Sequence, residues 1–214
     1  EALKAGIKKA KAGADEGDIL AAQHSAIFSG GGDYPGNEFI IGSDRDALLC
    51  RYKSGRRKLS KRDQLTLEFA GVYRHYHAAF MRTLIIGKPN KDHLKMDEAC
   101  RAALSEVEGA LRPGKTAGEV FEAHARVMDA HGMREHRLNA CGYSLGAKFT
   151  PSWMDFPMFY RGNEVVIAEG MVFFAHMILM NSASEAAYCL GRTYIIGTRK
   201  PEPVSKYPLT MIAR

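Results

Sequence analysis

Residues 10–32 read AKAGADEGDILAAQHSAIFSGGG, and residues 111–133 read LRPGKTAGEVFEAHARVMDAHGM. The second stretch repeats the first at an offset of 101 residues, which separates, for example, Gly13 from Gly114. Each copy predicts a turn, then an amphipathic helix, then a glycine after the helix end. Each helix is predicted to begin near an acidic residue, which suits the positive end of the helix dipole. The chain therefore contains an internal repeat.

A second pair of similar stretches follows, one in each copy. Residues 82–87 read RTLIIG and residues 192–197 read RTYIIG. Both runs are rich in β-branched residues and end at glycine, which predicts strands. Each follows another apolar run, QLTLEFA at 64–70 and MVFFAHMILM at 171–180. Two pairs of similar stretches in the same order favour a duplication in which each half contains a helix, a strand and a second strand.

This order of elements predicts one α+β domain over residues 1–214. Two further helical segments are predicted at 94–111 and 119–131, and Pro113-Gly114 marks the break between them. A duplicated unit of this kind packs as two halves about a pseudo-twofold axis. We expect one curved, mainly antiparallel sheet from both halves, with helices on its convex face. The concave face, shared by both halves, is the expected pocket.

The composition is that of an ordinary globular protein, with 46% apolar and 25% charged residues. No apolar run reaches the roughly 18 residues of a membrane-spanning helix. The N-terminal EALKAGIKKAKAG is a basic helical segment without the apolar core of a signal peptide. We therefore expect a cytoplasmic protein without a membrane partner. Because the chain does not start with Met, we also expect it to be the C-terminal domain of a longer chain.

The cysteines and the basic residues suggest no special site. Cys50, Cys100, Cys141 and Cys189 lack C-x-x-C spacing, so we interpret them as reduced thiols. Part of the net charge of +6 lies in Arg51–Arg62, which reads RYKSGRRKLSKR. Such a run can bind nucleic acid, but no aromatic residues are interleaved with it in a known pattern. A solvated loop is the preferred interpretation, and no nucleic-acid partner is expected.

Several short motifs point to a known family. They are GGDYP at 31–35, EFAG at 68–71, YH at 76–77, GKP at 87–89, GY at 142–143 and PSW at 151–153. Together they resemble the pita-bread superfamily of creatinase, aminopeptidase P and methionine aminopeptidase, and they are most similar to its ectoine hydrolase branch. The resemblance covers nearly the whole chain and implies the pita-bread fold.

The resemblance also implies where most members of the family bind two metal ions, through two Asp, one His and two Glu. In this sequence those positions fall on Glu68, Ala79, Tyr143, His176 and Arg192. Ala79 has no donor atom and Arg192 is a permanent cation. A single carboxylate beside an arginine does not hold a two-metal centre. We therefore expect no metal, no other cofactor and a metal-independent mechanism.

Creatinase and the ectoine hydrolases are metal-free members of the same family. The resemblance implies that such members use a His as acid and base, and carboxylates to hold a cationic substrate group. The His position falls on Arg51, which lies 17 residues before Glu68. Two of creatinase's carboxylate positions fall on Met81 and Gly191, and creatinase shares the alanine found at Ala79.

Three residues are predicted to be catalytic. Glu68 interrupts the apolar strand LTLEFAG and faces either solvent or the pocket, and the resemblance implies the pocket. His176, in VFFAHMILM, is either a core residue or an acid and base whose ordinary pKa lies near neutrality. Tyr143, in the turn-like GYSLG, is either a buried hydrogen-bonding residue or a ligand contact.

Five residues are predicted to bind substrate: Arg192, His77, Tyr76, Arg51 and Trp153. Arg192 is expected to grip a substrate carboxylate in bidentate fashion. Tyr76 and His77 are shared with the ectoine branch. His75 and His77 form a His-x-His pair that can bind zinc, but no third ligand lies nearby in the sequence. Trp153 is expected at a pocket rim, with a dimer contact as the alternative.

Two functions stay open. The first is metal-independent hydrolysis of a C–N bond in a small, carboxylate-bearing molecule. The second is a catalytically silent domain that binds a ligand or a protein, since a fold can be reused in this way. Metal-free relatives usually dimerise, so the resemblance also implies a homodimer. The aromatic segment from Trp153 to Tyr160 offers an apolar surface for that contact.

Overall fold

The computed structural model describes residues 1–49 and 55–214. These residues contain four α-helices: α1 Ala2–Lys9, α2 Glu16–Ser29, α3 Lys91–Ala110 and α4 Ala117–Ala130. A short 3-10 helix spans Asp44–Leu48. The strands are β1 Ile40–Ser43, β2 Asp63–Tyr73, β3 Tyr76–Ile86, β4 Ala140–Ser144, β5 Asp155–Tyr160, β6 Val172–Asn181, β7 Ala186–Ile196, β8 Pro201–Pro203 and β9 Ile212–Ala213. None of the described helices combines the length and the apolar character that crossing a membrane requires.

All the described strands belong to one sheet of order β1-β2-β3-β7-β6-β4-β5. β8 adds to β7, and the short β9 pairs with β3. The β3–β9 pair is parallel, whereas the other described pairs are antiparallel. The predictions of an α+β fold and of a mainly antiparallel sheet are confirmed.

The internal repeat extends to the bounds of the elements. The offset of 101 residues that relates the sequence copies also relates both ends of α2 to both ends of α4. An offset of 110 residues relates both ends of β3 to both ends of β7. Met81 and Gly191, which this second offset makes equivalent, lie opposite each other in the antiparallel β3–β7 pair. Equivalent residues facing each other across antiparallel strands place a local twofold axis between them, so the predicted pseudo-twofold arrangement is confirmed.

The repeated helices begin with matching caps. The Asp15 side chain accepts a hydrogen bond from the N–H of Gly17 at the start of α2. Thr116 occupies the equivalent position before α4, where it forms a reciprocal capping box with Glu119. Such caps satisfy backbone N–H groups that have no partner within the helix.

We expect Thr116→Ala to lower the free energy of unfolding by about 1 kcal/mol, the usual loss for an N-cap. Thr116→Asp should be nearly neutral, because aspartate already caps the equivalent helix at position 15. Urea unfolding followed by circular dichroism measures both changes. Equal losses for the two variants would contradict the role of the cap.

The two faces of the sheet differ. Residues directly opposite each other on paired strands point to the same face. Glu68 pairs with Met81, Met81 with Gly191, and Gly191 with His176, so these four share one face, here called the front face. Their immediate neighbours along each strand point to the opposite face, here called the helix face. On the β6–β7 side, α3 and α4 form an apolar core with the helix face.

Candidate functional site

A buried hydrogen-bonded chain lies on the front face. The hydroxyl of Tyr143, on β4, donates to the carboxylate of Glu68, on β2, over 3.1 Å. The same hydroxyl accepts from the indole N–H of Trp153 over 2.9 Å. The exposed fractions of Glu68, Tyr143 and Trp153 are 6%, 2% and 1%. These hydrogen bonds connect strands from both halves, so neither half forms the arrangement alone.

His176 lies beside this chain. Its ring centroid is 5.6 Å from that of Tyr143 and 5.6 Å from that of Phe174. The strand pairing puts Glu68 and His176 at the same level of the sheet, separated by Met81 and Gly191. Three strand spacings correspond to about 14 Å between their backbones. The structure thus gathers the three predicted catalytic residues on one face, with Tyr143 between the other two.

Glycine is required beside Glu68, Tyr143 and His176, which together are here called the Glu68 cluster. A Cβ added at Gly191 would lie 2.9 Å from the Phe174 ring and 2.9 Å from the Ala175 carbonyl oxygen. A Cβ at Gly142 would lie 2.5 Å from the Phe174 carbonyl oxygen. Both contacts are too close for real side chains, so the strands approach each other here only because these residues are glycines.

Arg192 does not join the cluster. It follows Gly191 on β7 and pairs with Ala175, so its side chain projects from the helix face. Its Nε donates to the Tyr194 hydroxyl over 2.9 Å, and its Nη2 donates to Glu108 on α3 over 2.6 Å. The prediction that Arg192 grips a substrate carboxylate beside Glu68 is therefore wrong. A displacement of one residue along a strand moves a side chain to the other face.

His77 forms hydrogen bonds to backbone groups of two other residues, Gly36 and His75. Its Nε2 accepts from the N–H of Gly36 over 2.8 Å, while its Nδ1 lies 2.8 Å from the His75 carbonyl oxygen. Since Nε2 accepts, Nδ1 carries the proton and donates it to that carbonyl. Burial lowers the pKa of His77, which favours this neutral form. Both ring nitrogens are engaged within the protein, and the predicted substrate contact of His77 stays a prediction.

The other predicted binding residues lie in different environments. Trp153 is almost fully buried, so it forms neither the expected rim nor a dimer contact. Two residues of its aromatic segment, Phe156 and Tyr160, are 60% and 41% exposed, and dimerisation through them stays a prediction. Tyr76 is 65% exposed at the start of β3. Arg51 lies outside the described residues.

The side chains at the five positions where the resemblance predicts metal ligands do not fit a pair of divalent ions. Ala79 carries no donor atom, and Arg192 projects from the opposite face. Within residues 1–49 and 55–214, no group of three or more His, Cys, Asp or Glu side chains is arranged to hold a metal ion. A two-metal centre needs several oxygen ligands, and Glu68 is the single carboxylate at the five positions.

A large cavity lies elsewhere, where β3 and β7 separate beyond their short paired region. Its volume is about 1030 Å³, and none of the three predicted catalytic residues lines it. Its walls are largely apolar and include Ile27, Phe69, Phe80, Val172 and Ile195. Tyr76 and His77, which the sequence predicted to contact substrate, line this cavity. The rest of its walls come from both halves and from residues 204–208 near the end of the chain.

Comparisons with known proteins agree with this fold. Metallopeptidase family M24 matches residues 1–198. The Xaa-Pro dipeptidase of Pyrococcus furiosus is 23% identical over 80% of this chain and 48% of its own length. The ectoine hydrolase of Halomonas elongata is 26% identical over 67% of this chain and 36% of its own length. The chain thus spans about half the length, or less, of these curated relatives.

Solved structures share the fold. The X-Pro aminopeptidase of Thermotoga maritima superposes with a TM-score of 0.91 at 16% identity, covering 100% of this chain and 58% of that one. The prolidase of Pyrococcus furiosus gives a TM-score of 0.90 at 20% identity, covering 97% of this chain and 60% of that one. Identities this low establish the pita-bread fold and leave the chemistry to the site.

Proposed function

The chain belongs to metallopeptidase family M24, and from that premise we propose that it hydrolyses a C–N bond in a small molecule without a bound metal ion. The observation that carries the proposal is the hydrogen bond between Tyr143 and Glu68, with the His176 ring beside the tyrosine. A carboxylate, a phenol and an imidazole are the groups that general acid–base catalysis uses.

The proposed reaction divides the proton transfers between Glu68 and His176. Glu68 takes a proton from a water molecule as the water oxygen bonds to the substrate carbon. Protonated His176 gives its proton to the nitrogen as the C–N bond breaks. Tyr143, which already donates to Glu68, orients the carboxylate. The substrate would lie on the front face, over Met81 and Gly191 and between Glu68 and His176.

Arg192 was the residue expected to bind a carboxylate, and its guanidinium is engaged by Glu108 on the helix face. The relatives supply the candidate substrates, because their names include Xaa-Pro dipeptidase and ectoine hydrolase. Both activities break a C–N bond, in a peptide or in a cyclic amidine.

The test is hydrolysis by full-length protein before and after treatment with a chelator. Xaa-Pro dipeptides, ectoine and creatine serve as substrates, and amine release is measured. We expect the rate to survive chelation and to fall about 100-fold or more in Glu68→Gln, the usual range for a lost acid–base group. Glu98→Gln, which alters an exposed carboxylate on α3, is the control and should leave the rate unchanged. Activity that disappears on chelation and returns with Mn²⁺ or Co²⁺ would overturn the proposal.

The burial of the cluster favours a second candidate, a non-catalytic binding domain. Glu68, Tyr143, Trp153 and His176 are each at most 7% exposed, so the cluster also resembles a closed polar core. This alternative predicts no hydrolysis of the same substrates by the unaltered protein. It also predicts that Glu68→Gln changes stability without changing ligand binding.

A further inference from the structure

Three arginines line one small cavity, here called the arginine pocket. Its volume is about 300 Å³, and it lies between α4, the segment that leads from α4 to β4, and the turn after β5. The residues that line it are Phe121, Arg134, Arg137, Asn139 and Arg161. Among the residues that the structure describes, the lining therefore consists of three cations, an amide and an aromatic ring, without a carboxylate.

The three guanidinium groups have two carboxylates as partners, and neither carboxylate lines the pocket. Arg137 donates from Nε and Nη2 to the two oxygens of Asp129 over 2.7 and 3.2 Å. Arg161 forms a 2.9 Å ion pair with Glu122 on α4. Arg134 forms no ion pair in the part of the chain that the structure describes. The hydrogen bond from Arg137 lowers the pKa of Asp129, and the charge of Arg134 lowers it further. One positive charge at the pocket thus has no carboxylate of its own.

Two of the three guanidinium groups are held in place by the Phe121 ring. The central carbons of Arg137 and Arg161 lie 5.6 and 5.9 Å from the centre of that ring. At such distances a cation is attracted to an aromatic ring. The side chain of Arg137 is only 6% exposed, so ordering its donors costs little when a ligand binds. Because like charges repel, an anion among the three guanidinium groups would stabilise their arrangement.

We propose that the arginine pocket binds the phosphate group of a small molecule. The oxygens of a phosphate point in tetrahedral directions and accept hydrogen bonds from several guanidinium groups at once, whereas a carboxylate offers two oxygens in one plane. The amide of Asn139 supplies a further donor. A volume of about 300 Å³ accommodates a phosphate with a small organic group. The arginine pocket shares no residue with the Glu68 cluster, so its occupation does not depend on the hydrolase proposal.

Calorimetric titration of the full-length protein at constant ionic strength tests the site with four probes: inorganic phosphate, glycerol 3-phosphate, glycerol and acetate. We expect both phosphates to bind one-to-one, and glycerol and acetate to bind about tenfold more weakly or worse. Tighter binding of glycerol 3-phosphate than of inorganic phosphate identifies a phosphate ester as the ligand, and equal or weaker binding identifies free phosphate. Acetate that binds as tightly as phosphate would overturn the preference, and absence of phosphate binding would overturn the site.

Variants of exposed residues locate the site. Arg134→Gln removes the cation without an ion-pair partner and should weaken phosphate binding about tenfold or more. Arg112→Gln is the matched control, because Arg112 is also exposed but does not line the pocket, and it should leave the affinity unchanged. Asn139→Asp adds a negative charge to the lining and should also weaken phosphate binding about tenfold or more, which keeps the test available if Arg134→Gln fails to fold. Phosphate affinity that is the same in Arg134→Gln, Asn139→Asp and Arg112→Gln would refute the location.

Discussion

At pH 5 the protein should be about 2 kcal/mol less stable towards unfolding than at pH 7 because of one side chain, His124. His124 lies on α4 and is 1% exposed, and its Nδ1 has no hydrogen-bond partner among the described residues. Burial, together with the smaller effects of the nearby charges of His176 and Arg137, lowers its pKa from 6.5 to about 3, and Asp129 opposes this shift. The neutral ring is therefore the form that the folded protein accepts.

The direction of the effect follows from the two pKa values. Below pH 6.5 the unfolded chain protonates His124, whereas the folded protein does not until the pH approaches 3. The stabilisation is thus fully present above pH 6.5 and is lost as the pH falls, to a total of about 5 kcal/mol. Burial also lowers the pKa of His24, His77 and His93, so the whole protein should lose more than this.

Urea unfolding at pH 7 and pH 5 isolates the contribution of His124. In His124→Gln the difference in stability between the two pH values should shrink by about 2 kcal/mol. His75→Gln changes a histidine that is exposed on the turn before β3 and should keep the full difference. If His124→Gln loses as much stability between pH 7 and pH 5 as the unaltered protein does, then His124 is protonated in the folded protein at pH 5.

Trp153→Ala should lower the free energy of unfolding by about 3–5 kcal/mol, the range for removing a large buried aromatic side chain. Trp153 is 1% exposed, and its ring lies 6.4 Å from that of Phe39 and 6.0 Å from that of His77. Its backbone N–H donates to the Asn37 side chain, and its indole N–H donates to Tyr143. The variant would lose this packing and leave the Tyr143 hydroxyl with one partner fewer.

Trp153→Phe separates packing from hydrogen bonding. It keeps an aromatic ring and removes the indole N–H, so we expect a loss of about 1–2 kcal/mol. Circular dichroism is the suitable readout, because Trp153 is the only tryptophan and both variants lose its fluorescence. A loss below about 1 kcal/mol in Trp153→Ala would mean that the residue is not packed as described.

The repeated helices and strands were predictable from the sequence because local signals agree with the final packing. Glycine and N-cap residues mark both ends of α2 and α4, and the RTxIIG runs mark the ends of β3 and β7. Boundaries were less accurate: the strand predicted at 64–70 extends over Asp63–Tyr73, and the helix predicted at 94–111 begins at Lys91. Strand pairing extends β2, and helix capping extends α3, beyond the residues whose apolar pattern is periodic, which accounts for these differences.

The site was predictable in part. Glu68, Tyr143 and His176 lie together, as the resemblance implied. The role of Arg192 was not predictable, because alignment across a glycine-containing strand does not say which of two adjacent residues faces the pocket. The sequence also did not predict that Nε and Nη2 of Arg82 have no hydrogen-bond partner in the part of the chain that the structure describes. Its sequence twin Arg192 has a carboxylate partner, and nothing in the repeated motif distinguishes the two.

The sequence by itself determined the duplication and the order of elements, because repeats and periodicity are properties of the chain alone. The tertiary structure decided which side chains share a face, which polar groups are satisfied and where the cavity opens. Those properties depend on strand register and on contacts between residues far apart in sequence. Because strand side chains alternate with a period of two, a register difference of one residue separates Arg192 from the front face that Gly191 occupies.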